Sequence, residues 1–342
     1  MKCIILLLIL VSSSLYAQVE IDVSNVNSSN TNNCYDDYSD QLLIKVMSVV
    51  KSNDLEIINK NNKKSIVLKP YGMSSLGFGF NYKWLGLGIG FGLPASPEDE
   101  KIYGETQRFD FQLNVYSRKF VVDAFAQQYT GYHIENVAEL IDWEGVYFPQ
   151  RESMKTFAMG IGGYYVFNHE KLSYKAAYVR NSVQKKSAGS FLLGGFYNID
   201  YGGFDGGDTS SFVPDYFPVE IQDSLPIDTY TARSVGVSFG YTYTFVFFKR
   251  FFINLSLIPG LGVKSLTVTK SGDNFKETTG VGRFNGRVAL GYENKNFLLG
   301  LTSNSVTGNL DFEDYEIKPT TKNVKFFIAK RFNIKKKKAR LE

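Results

Sequence analysis

The chain has 342 residues, 2 cysteines, 15% aromatic residues and a formal net charge of +4. The small, dispersed charge gives no support for nucleic-acid binding, and two cysteines are too few for a cysteine-rich metal site. We expect no metal and no cofactor. A mean hydropathy of −0.15 is too low for a helical membrane protein but normal for a barrel whose strands have one face in water.

The amino terminus has the form of a secretion signal. Lys2 precedes an apolar run from Ile4 to Val11, and small polar residues lead to Ala17. The run is too short to span a bilayer, so residues 1–17 are predicted to be a signal peptide cleaved before Gln18.

Residues 18–64 are predicted to be a periplasmic segment with one short helix. Residues 39–51 carry apolar side chains at helical spacing, and Ser39 is a suitable N-cap. This helix is expected to plug or cover the periplasmic end of a barrel formed by the rest of the chain.

A strict two-residue alternation is clearest in residues 234–257. The run on both sides of Lys249 places small or polar residues on one face and bulky apolar residues on the other, which predicts a β-hairpin with long strands. The apolar positions before the turn are Val235, Val237, Phe239, Tyr241, Tyr243, Phe245 and Phe247.

Long strands of this kind favour a membrane barrel, with lipid outside and water inside. The predicted fold is all-β: a transmembrane antiparallel β-barrel of about twelve strands over residues 65–334. The predicted strands are Ser65–Tyr71, Ser75–Tyr82, Trp84–Gly92, Thr106–Ser117, Lys119–Gly131, Ser153–Phe167, Lys171–Ile199, Thr231–Phe248, Arg250–Ser265, Gly280–Tyr292, Asn296–Gly308 and Lys322–Asn333.

Short and long connections alternate in this scheme, as in outer-membrane barrels. Short turns, such as those at Lys83, Arg118 and Lys249, would be periplasmic. The long polar connections 93–105, 132–152, 200–230, 266–279 and 309–321 would be extracellular. Residues 171–199 are predicted to form one overlong or kinked strand; two strands are the alternative, which would exchange the sides of all earlier loops.

Several runs resemble a known family. They are LGFGFNYKWLGLGIGF at 76–91, GETQRFDFQLNVYSRKFVVDAFAQQYTGY at 104–132, QKKSAGSFLLGG at 184–195 and SVGVSFGYTYTFVF…FFINLSLIPGLG over 234–262. Together they resemble domain of unknown function 4421, a family of Bacteroidota outer-membrane barrels. The resemblance implies a Gram-negative outer-membrane location and no assigned activity.

The carboxyl end predicts two kinds of partner. A closing strand ending at Phe332 supplies the terminal aromatic residue that the barrel insertion machinery recognises. Residues 335–342 form a basic tail, either solvated or bound to anionic headgroups. The other expected partners are outer-membrane lipid and lipopolysaccharide, and the sequence specifies no oligomeric state.

Polar residues on the face opposite the apolar one are predicted to line the lumen, because charges facing hydrocarbon are costly. They would form a structural ladder of paired charges, a weakly selective pore or a pocket for a small polar solute. The nine positions are Arg108, Asp110, Gln112, Asn114, Asp123, Gln127, Arg283, Asn285 and Arg287.

These observations lead to three hypotheses for function. The first is a narrow channel, or a barrel that binds or transports a small solute. The second is a scaffold barrel that binds envelope partners through its loops or its 39–51 helix. The third, an enzyme acting on lipid or lipopolysaccharide, is disfavoured because His133 and His169 fall at opposite ends of the topology and no serine lies in a nucleophile motif. We therefore predict no catalytic residue.

Overall fold

The structure, a computed structural model, describes residues 14–22, 34–72, 74–204 and 211–334. Most of the predicted signal peptide and the basic tail at 335–342 lie outside this range. The strands are β1 Ser14–Asp22, β2 Tyr35–Asp37, β3 Leu42–Asn59, β4 Ser65–Lys69, β5 Ser74–Tyr82, β6 Leu85–Gly92, β7 Gln107–Tyr116, β8 Phe120–Ile134, β9 Gln150–Val166, β10 Ser182–Gln184, β11 Ala188–Phe204, β12 Ile227–Phe247, β13 Phe251–Lys270, β14 Asp273–Glu293, β15 Phe297–Phe312 and β16 Tyr315–Phe332.

Four short helices lie in the described parts of the connections. They are α1 Pro97–Tyr103, α2 Val137–Leu140, α3 Tyr174–Tyr178 and α4 Val219–Ser224. Within the described ranges, no helix has the length and apolar content needed to cross a bilayer.

Thirteen of the strands close into a ring. Its order is β3-β5-β6-β1-β7-β8-β9-β11-β12-β13-β14-β15-β16, and β16 then pairs with β3. This closing pair is long and regular, from Tyr315 opposite Asn59 to Phe332 opposite Leu42. The predicted all-β barrel is confirmed, and the strand that ends at Phe332 is the last strand of the wall.

The ring has one strand more than the predicted twelve. Two wall strands, β1 and β3, were not among the predicted twelve, and one predicted strand, 65–71, is not part of the ring. β1 pairs antiparallel with β6 and parallel with β7. Its first four residues, Ser14–Ala17, belong to the predicted signal peptide, so the prediction gave them no place in the wall.

The predicted helix at 39–51 is wrong, because these residues lie in β3, an eighteen-residue strand. Side chains alternate strictly: Lys45 and Lys51 are buried inside, whereas Ile44, Val46 and Val50 are exposed outside. Apolar residues stand on both faces of this strand, as at Leu42 and Leu43, and the resulting adjacent pairs imitate helical spacing.

Two other predicted strands are also corrected. The first, 65–71, is the short β4, which pairs with β3 and with β8 and whose Ile66 and Leu68 are fully buried. It crosses between two wall strands instead of forming one.

The second, 171–199, is not one continuous strand. It contains α3, then the three-residue β10, which pairs with β2 outside the wall, and then a single wall strand, β11, from Ala188 onward. Tyr174, Ala176 and Ala177 of α3 are buried, so this segment folds into the barrel, where it buries the apolar side chains that gave it the appearance of a strand.

The two ends of the barrel differ. One end, the short-turn end, carries the tight turns at 83–84, 117–119, 248–250 and 294–296. The other, the long-loop end, carries the connections 93–106, 135–149 and 205–226. The predicted long connections 266–279 and 309–321 are wrong: β13 and β14 continue to a turn at 271–272, and β15 and β16 to one at 313–314.

The outer face is apolar in the middle of the wall. Val237 and Leu261 are 66% and 73% exposed, whereas Ser238 and Ser256 of the same hairpin are buried inside. This division is the physical signature of a barrel whose surroundings are less polar than its interior.

Candidate functional site

The interior is crossed by buried charge pairs. Asp123 on β8 accepts hydrogen bonds from Asn114 Nδ2 at 2.6 Å and Tyr116 Oη at 2.8 Å, both on β7. Arg287 on β14, across the lumen, donates to Asp123 Oδ2 at 2.5 Å and also reaches Asn285 Oδ1 at 3.4 Å. A single carboxylate thereby ties β7 and β8 to β14.

A second carboxylate, Asp110 on β7, lies on the same wall. Lys51 on β3 donates to it at 2.5 Å and Gln127 on β8 at 2.7 Å. All three side chains are nearly inaccessible to solvent. Arg108 of the same strand donates to Ser75 Oγ at 2.5 Å. Charges buried this deeply stabilise a barrel only when paired, because an unpaired buried charge is costly.

A third cluster is centred on β1. Glu20 accepts from Lys45 Nζ at 3.1 Å and from Asn81. Gln18 bridges this cluster to the first, donating to Glu20 at 2.9 Å and to Asn114 at 2.8 Å. Lys325 of β16 donates to the Gln18 amide oxygen.

The remaining predicted residues occupy the same interior. Arg283 packs over the ring of Phe196, 4.8 Å from its centroid. Asn285 lies 3.5 Å from Tyr164 Oη, and Gln112 faces a central cavity. The structure thus places all nine predicted side chains within the barrel. Asn114, Asp123, Asn285 and Arg287 share the first cluster, and Asp110 and Gln127 share the second. Their part in binding or passing a solute stays a prediction.

A polar cavity of about 110 Å³ lies between these clusters. One side is formed by β7 and β8, and the other by β15 and β16. The volume accommodates several water molecules or one small solute. Its polar lining is Gln18, Glu20, Gln112, Asn114, Tyr116, Asp123, Gln127, Tyr178, Arg287, Thr302, Ser303, Asn304, Thr321, Asn323 and Lys325.

At the short-turn end the lumen is filled by residues 168–187, here called the inner plug. Tyr178 donates to Asn254 Oδ1 at 2.7 Å, and Lys175 Nζ lies 2.9 Å from Asp37 Oδ2 of β2. Burial raises the pKa of Asp37, but Lys175 and the hydroxyl of Ser39 outweigh that effect, so its pKa lies below the ordinary value.

Arg180 of the inner plug is held by an ion-pair lock. Glu293 lies between it and Arg331, hydrogen-bonded to Arg331 and 3.8 Å from Arg180 Nη1. Arg331 also donates to the Arg180 carbonyl at 2.8 Å. The Arg180 guanidinium stacks on Phe252, 3.9 Å from the ring centroid.

At the long-loop end the lumen is filled by residues 211–226, here called the mouth stopper. Its apolar side chains belong to one buried cluster with residues of β3, β4, β8, β13 and β15. Asn59 of β3 donates to the Ser224 carbonyl at 2.8 Å. The buried apolar residues of the mouth stopper are Phe212, Val213, Phe217, Ile221 and Leu225.

The two histidines lie at opposite ends. His133 stands at the long-loop end, with Nε2 3.0 Å from Glu135 Oε2 and its ring against those of Tyr103 and Phe148. His169 begins the inner plug at the other end, where Tyr35 donates to its carbonyl. Their separation agrees with the prediction that they form no joint catalytic site. Within the described part of the chain, no group of three or more potential metal ligands occurs.

Sequence reasoning missed several interior residues. Lys45, Lys51 and Asn53 share one parity of β3, while Ile44, Val46 and Val50 share the other. That alternation was the available signal. For Tyr178 and Arg180 no local signal points to the wall, because the wall residues that they contact, Asn254 and Glu293, are 76 or more residues away in sequence.

Comparison with protein families finds one family model that matches most of the chain. A family model described as "Domain of unknown function (DUF4421)" matches residues 30–332. The chain belongs to this family. In this DUF4421 barrel the match spans β2 to β16, and therefore the wall from β3 onward, the inner plug and the mouth stopper.

Comparison with curated proteins finds no match. Solved structures similar to this DUF4421 barrel include the outer membrane protease OmpT from Escherichia coli, with 8% identity, 90% of this chain and 100% of that chain covered, and a TM-score of 0.38. The Pseudomonas putida toluene transporter TodX has 10% identity, coverage of 86% and 90%, and a TM-score of 0.25. The attachment invasion locus protein Ail of Yersinia pestis has 8% identity, coverage of 84% and 98%, and a TM-score of 0.22. The function is accordingly argued from this chain's own residues.

Proposed function

We propose that the chain is a barrel of a Gram-negative outer membrane that holds a small polar solute in a lumen closed at both ends, and that release of the inner plug admits the solute. The observation that carries the proposal is the polar cavity of about 110 Å³ lying between the inner plug and the mouth stopper.

The membrane location is supported by the distribution of side chains. Charged groups are paired inside, whereas the outer face carries rings and branched aliphatic side chains. At the short-turn end, Phe247, Phe251 and Tyr292 form a continuous aromatic row, with centroid distances of 6.1 Å and 5.2 Å. Such rows suit the depth of lipid headgroups.

The lining suits a polar, nearly neutral solute. It offers amides, hydroxyls and two charges of each sign, and Asp123 and Glu20 already have cationic partners in Arg287 and Lys45. A solute with a single uncompensated charge would have to displace one of these partners. Small molecules rich in hydroxyl or amide groups need no such displacement.

Passage requires one end to open, and the two ends differ in how they are closed. Moving the mouth stopper into water would expose five apolar side chains, at roughly 1.5–3 kcal/mol each. The inner plug also buries Leu172, Tyr174 and Val179, but its other two buried apolar residues are alanines, and it is held in addition by ion pairs and hydrogen bonds, which water can replace. We therefore assign the gate to the inner plug.

Solute uptake by proteoliposomes tests the proposal. We expect purified protein to admit small neutral polar solutes, and Asn304→Trp, which fills the cavity, to abolish that uptake. Ser305→Trp on the outer face of the same strand is the matched control and should leave uptake unchanged. Wild-type uptake equal to that of protein-free liposomes would refute the proposal.

A scaffold barrel is the second candidate, and one surface favours it. At the long-loop end, Val146 and Tyr216 are 76% and 66% exposed, with Tyr147 and Val219 also exposed. Capture of a defined envelope protein by the wild type, and its loss in Tyr147→Ser/Tyr216→Ser, would support this function.

A further inference from the structure

The turn between β12 and β13 has an unusual backbone. Phe248 and Lys249 both have positive φ, 50° and 61°, as the two central residues of a type I′ turn do, within a three-residue connection between the paired residues Phe247 and Phe251. Asn and Gly normally occupy such positions, because bulky side chains are disfavoured there. The Phe248 ring is 86% exposed and meets the rings of Phe247 and Phe251 edge-on, at centroid distances of 6.2 Å and 6.4 Å, so most of its surface is left to the surroundings. Strain of this kind often marks a functional site.

Positive charge is concentrated at the same end. Each of the four tight turns contains Lys or Arg, among them Lys83 in the β5–β6 turn and Lys249 in the β12–β13 turn. A groove of about 760 Å³ at this end is lined by Lys185, Lys186, Lys249, Arg250 and Lys295.

The acidic residues of this groove are already engaged. Asp36 lies 2.7 Å from Lys185 Nζ, and Glu293 is hydrogen-bonded to Arg331. The charge left over is therefore positive, on Lys186, Lys249, Arg250 and Lys295.

An apolar groove on the outer wall begins beside these cations. Its volume is about 420 Å³. Arg250 Nη1 donates to Tyr292 Oη at 3.1 Å, and the Glu293 amide donates to the Arg250 carbonyl at 2.8 Å, so the head of the groove and the basic turn are fixed to each other. The floor lies at the Gly291–Gly300 pair. The apolar walls are Phe247, Phe251, Ile253, Leu290, Leu299, Leu301 and Phe326.

We propose that these two grooves together, the rim groove, bind one anionic phospholipid from the leaflet at the short-turn end. Arg250, Lys249 and Lys295 hold the phosphate, and an acyl chain lies between Leu290 and Leu299. The Phe248 ring enters the headgroup region, which accounts for its exposure. The inference rests on the membrane location proposed above and is independent of solute passage.

Charge complementarity selects this occupant. A zwitterionic lipid would satisfy the apolar groove but leave the surplus cations without a counter-charge. A protein partner would have to displace lipid from a wall whose outer face is apolar in its middle part. Each basic residue near an anionic surface raises the affinity for anionic lipid about fivefold, so the loss of two basic residues should weaken lipid binding by roughly 25-fold.

Native mass spectrometry of the full chain, released from nanodiscs of phosphatidylethanolamine and phosphatidylglycerol, tests the inference. We expect one retained phosphatidylglycerol on the wild type and its loss in Lys249→Gln/Arg250→Gln. Lys83→Gln, which removes a cation from another short turn, is the control and should retain it. Leu299→Trp, which fills the apolar groove and leaves the cations in place, should also lose it.

Heat-modifiable gel mobility of every variant establishes that the barrel is folded. Two results would overturn the inference. One is retention of both lipids in proportion to the nanodisc composition, and the other is that Lys249→Gln/Arg250→Gln retains as much phosphatidylglycerol as the wild type. Failure of the chain to enter nanodiscs would instead refute the proposed membrane location. Loss of solute uptake with lipid retention intact would refute only the proposed passage.

Discussion

Replacing Glu293 by Gln should release the inner plug. Glu293 is 5% exposed and lies between two buried guanidinium groups, those of Arg180 and Arg331. The amide keeps the size of the side chain but removes its charge. Two buried cations then lie close together without the carboxylate that compensates them.

The cost follows from the burial of all three groups. Removing one partner of a buried ion pair destabilises a protein by about 3–5 kcal/mol. The β14 and β16 ladders that carry Glu293 and Arg331 are long, whereas the inner plug has only α3 and the three-residue β10. The inner plug should therefore be the part that moves to bring the unpaired cations into water. The ratio of barrels with a closed inner plug to barrels with an open one should fall by roughly two to three and a half orders of magnitude.

Trypsin accessibility measures this population, since cleavage of an opened segment follows its equilibrium when reclosing is fast. Cleavage after Lys175 and Arg180, mapped by mass spectrometry, should appear in Glu293→Gln and be absent from the wild type. Glu170→Gln removes the same charge from an exposed position of the inner plug and should behave as the wild type. If Glu293→Gln is folded and equally resistant, the lock does not hold the plug.

Three further predictions concern stability. Glu20→Gln leaves buried Lys45 without its carboxylate and should lower the free energy of unfolding in urea by about 3–5 kcal/mol, whereas loss of less than about 1 kcal/mol would show that β1 contributes little. Gly131→Ala should destabilise the barrel strongly, because φ at this position is 90° and the added Cβ would lie 2.0 Å from the Glu105 carbonyl oxygen. The control is Gly280→Ala, whose Cβ would have no atom within 4 Å, and it should be nearly neutral in the same urea titration. The pKa of Asp37 lies below its ordinary 3.8, so the pair with Lys175 stabilises the inner plug fully above pH 3.8, and this stabilisation is lost as the pH falls through the lower pKa of the folded state. Acid should therefore loosen the inner plug of the wild type in that range, as followed by proteolysis. The inner plug of Asp37→Asn should be looser at neutral pH and should respond less to acid in the same assay.

The wall could be predicted from the sequence because its determinants are local. In β12, from Val235 to Thr244, each apolar residue is followed by a small or polar one, and the alternation alone specifies strand and face. In β3 the same rule holds, yet adjacent apolar residues such as Val49 and Val50 hide it, since one faces the packed interior and the other faces outward.

The closed ends could not be predicted, because their determinants are distant in sequence. Tyr178 depends on Asn254, and Arg180 on Glu293 and Arg331. Nothing within the 171–187 stretch indicates that these partners will meet it inside a barrel. The same is true of the Lys51–Asp110 pair, in which a residue assigned to a helix neutralises one assigned to the wall.

The position of β1 determines how wide the barrel is. Its residues Leu15 to Ile21 separate β6 from β7 over their whole paired length. If processing removes residues up to Ala17, as the sequence predicts, the part of β1 nearest the long-loop end disappears while Gln18 to Ile21 stay. The barrel would then have thirteen strands around one half of its height and twelve around the other, with β6 and β7 free to meet directly or to leave a sideways opening into the bilayer. The circumference of this protein would thus be set by its amino-terminal processing.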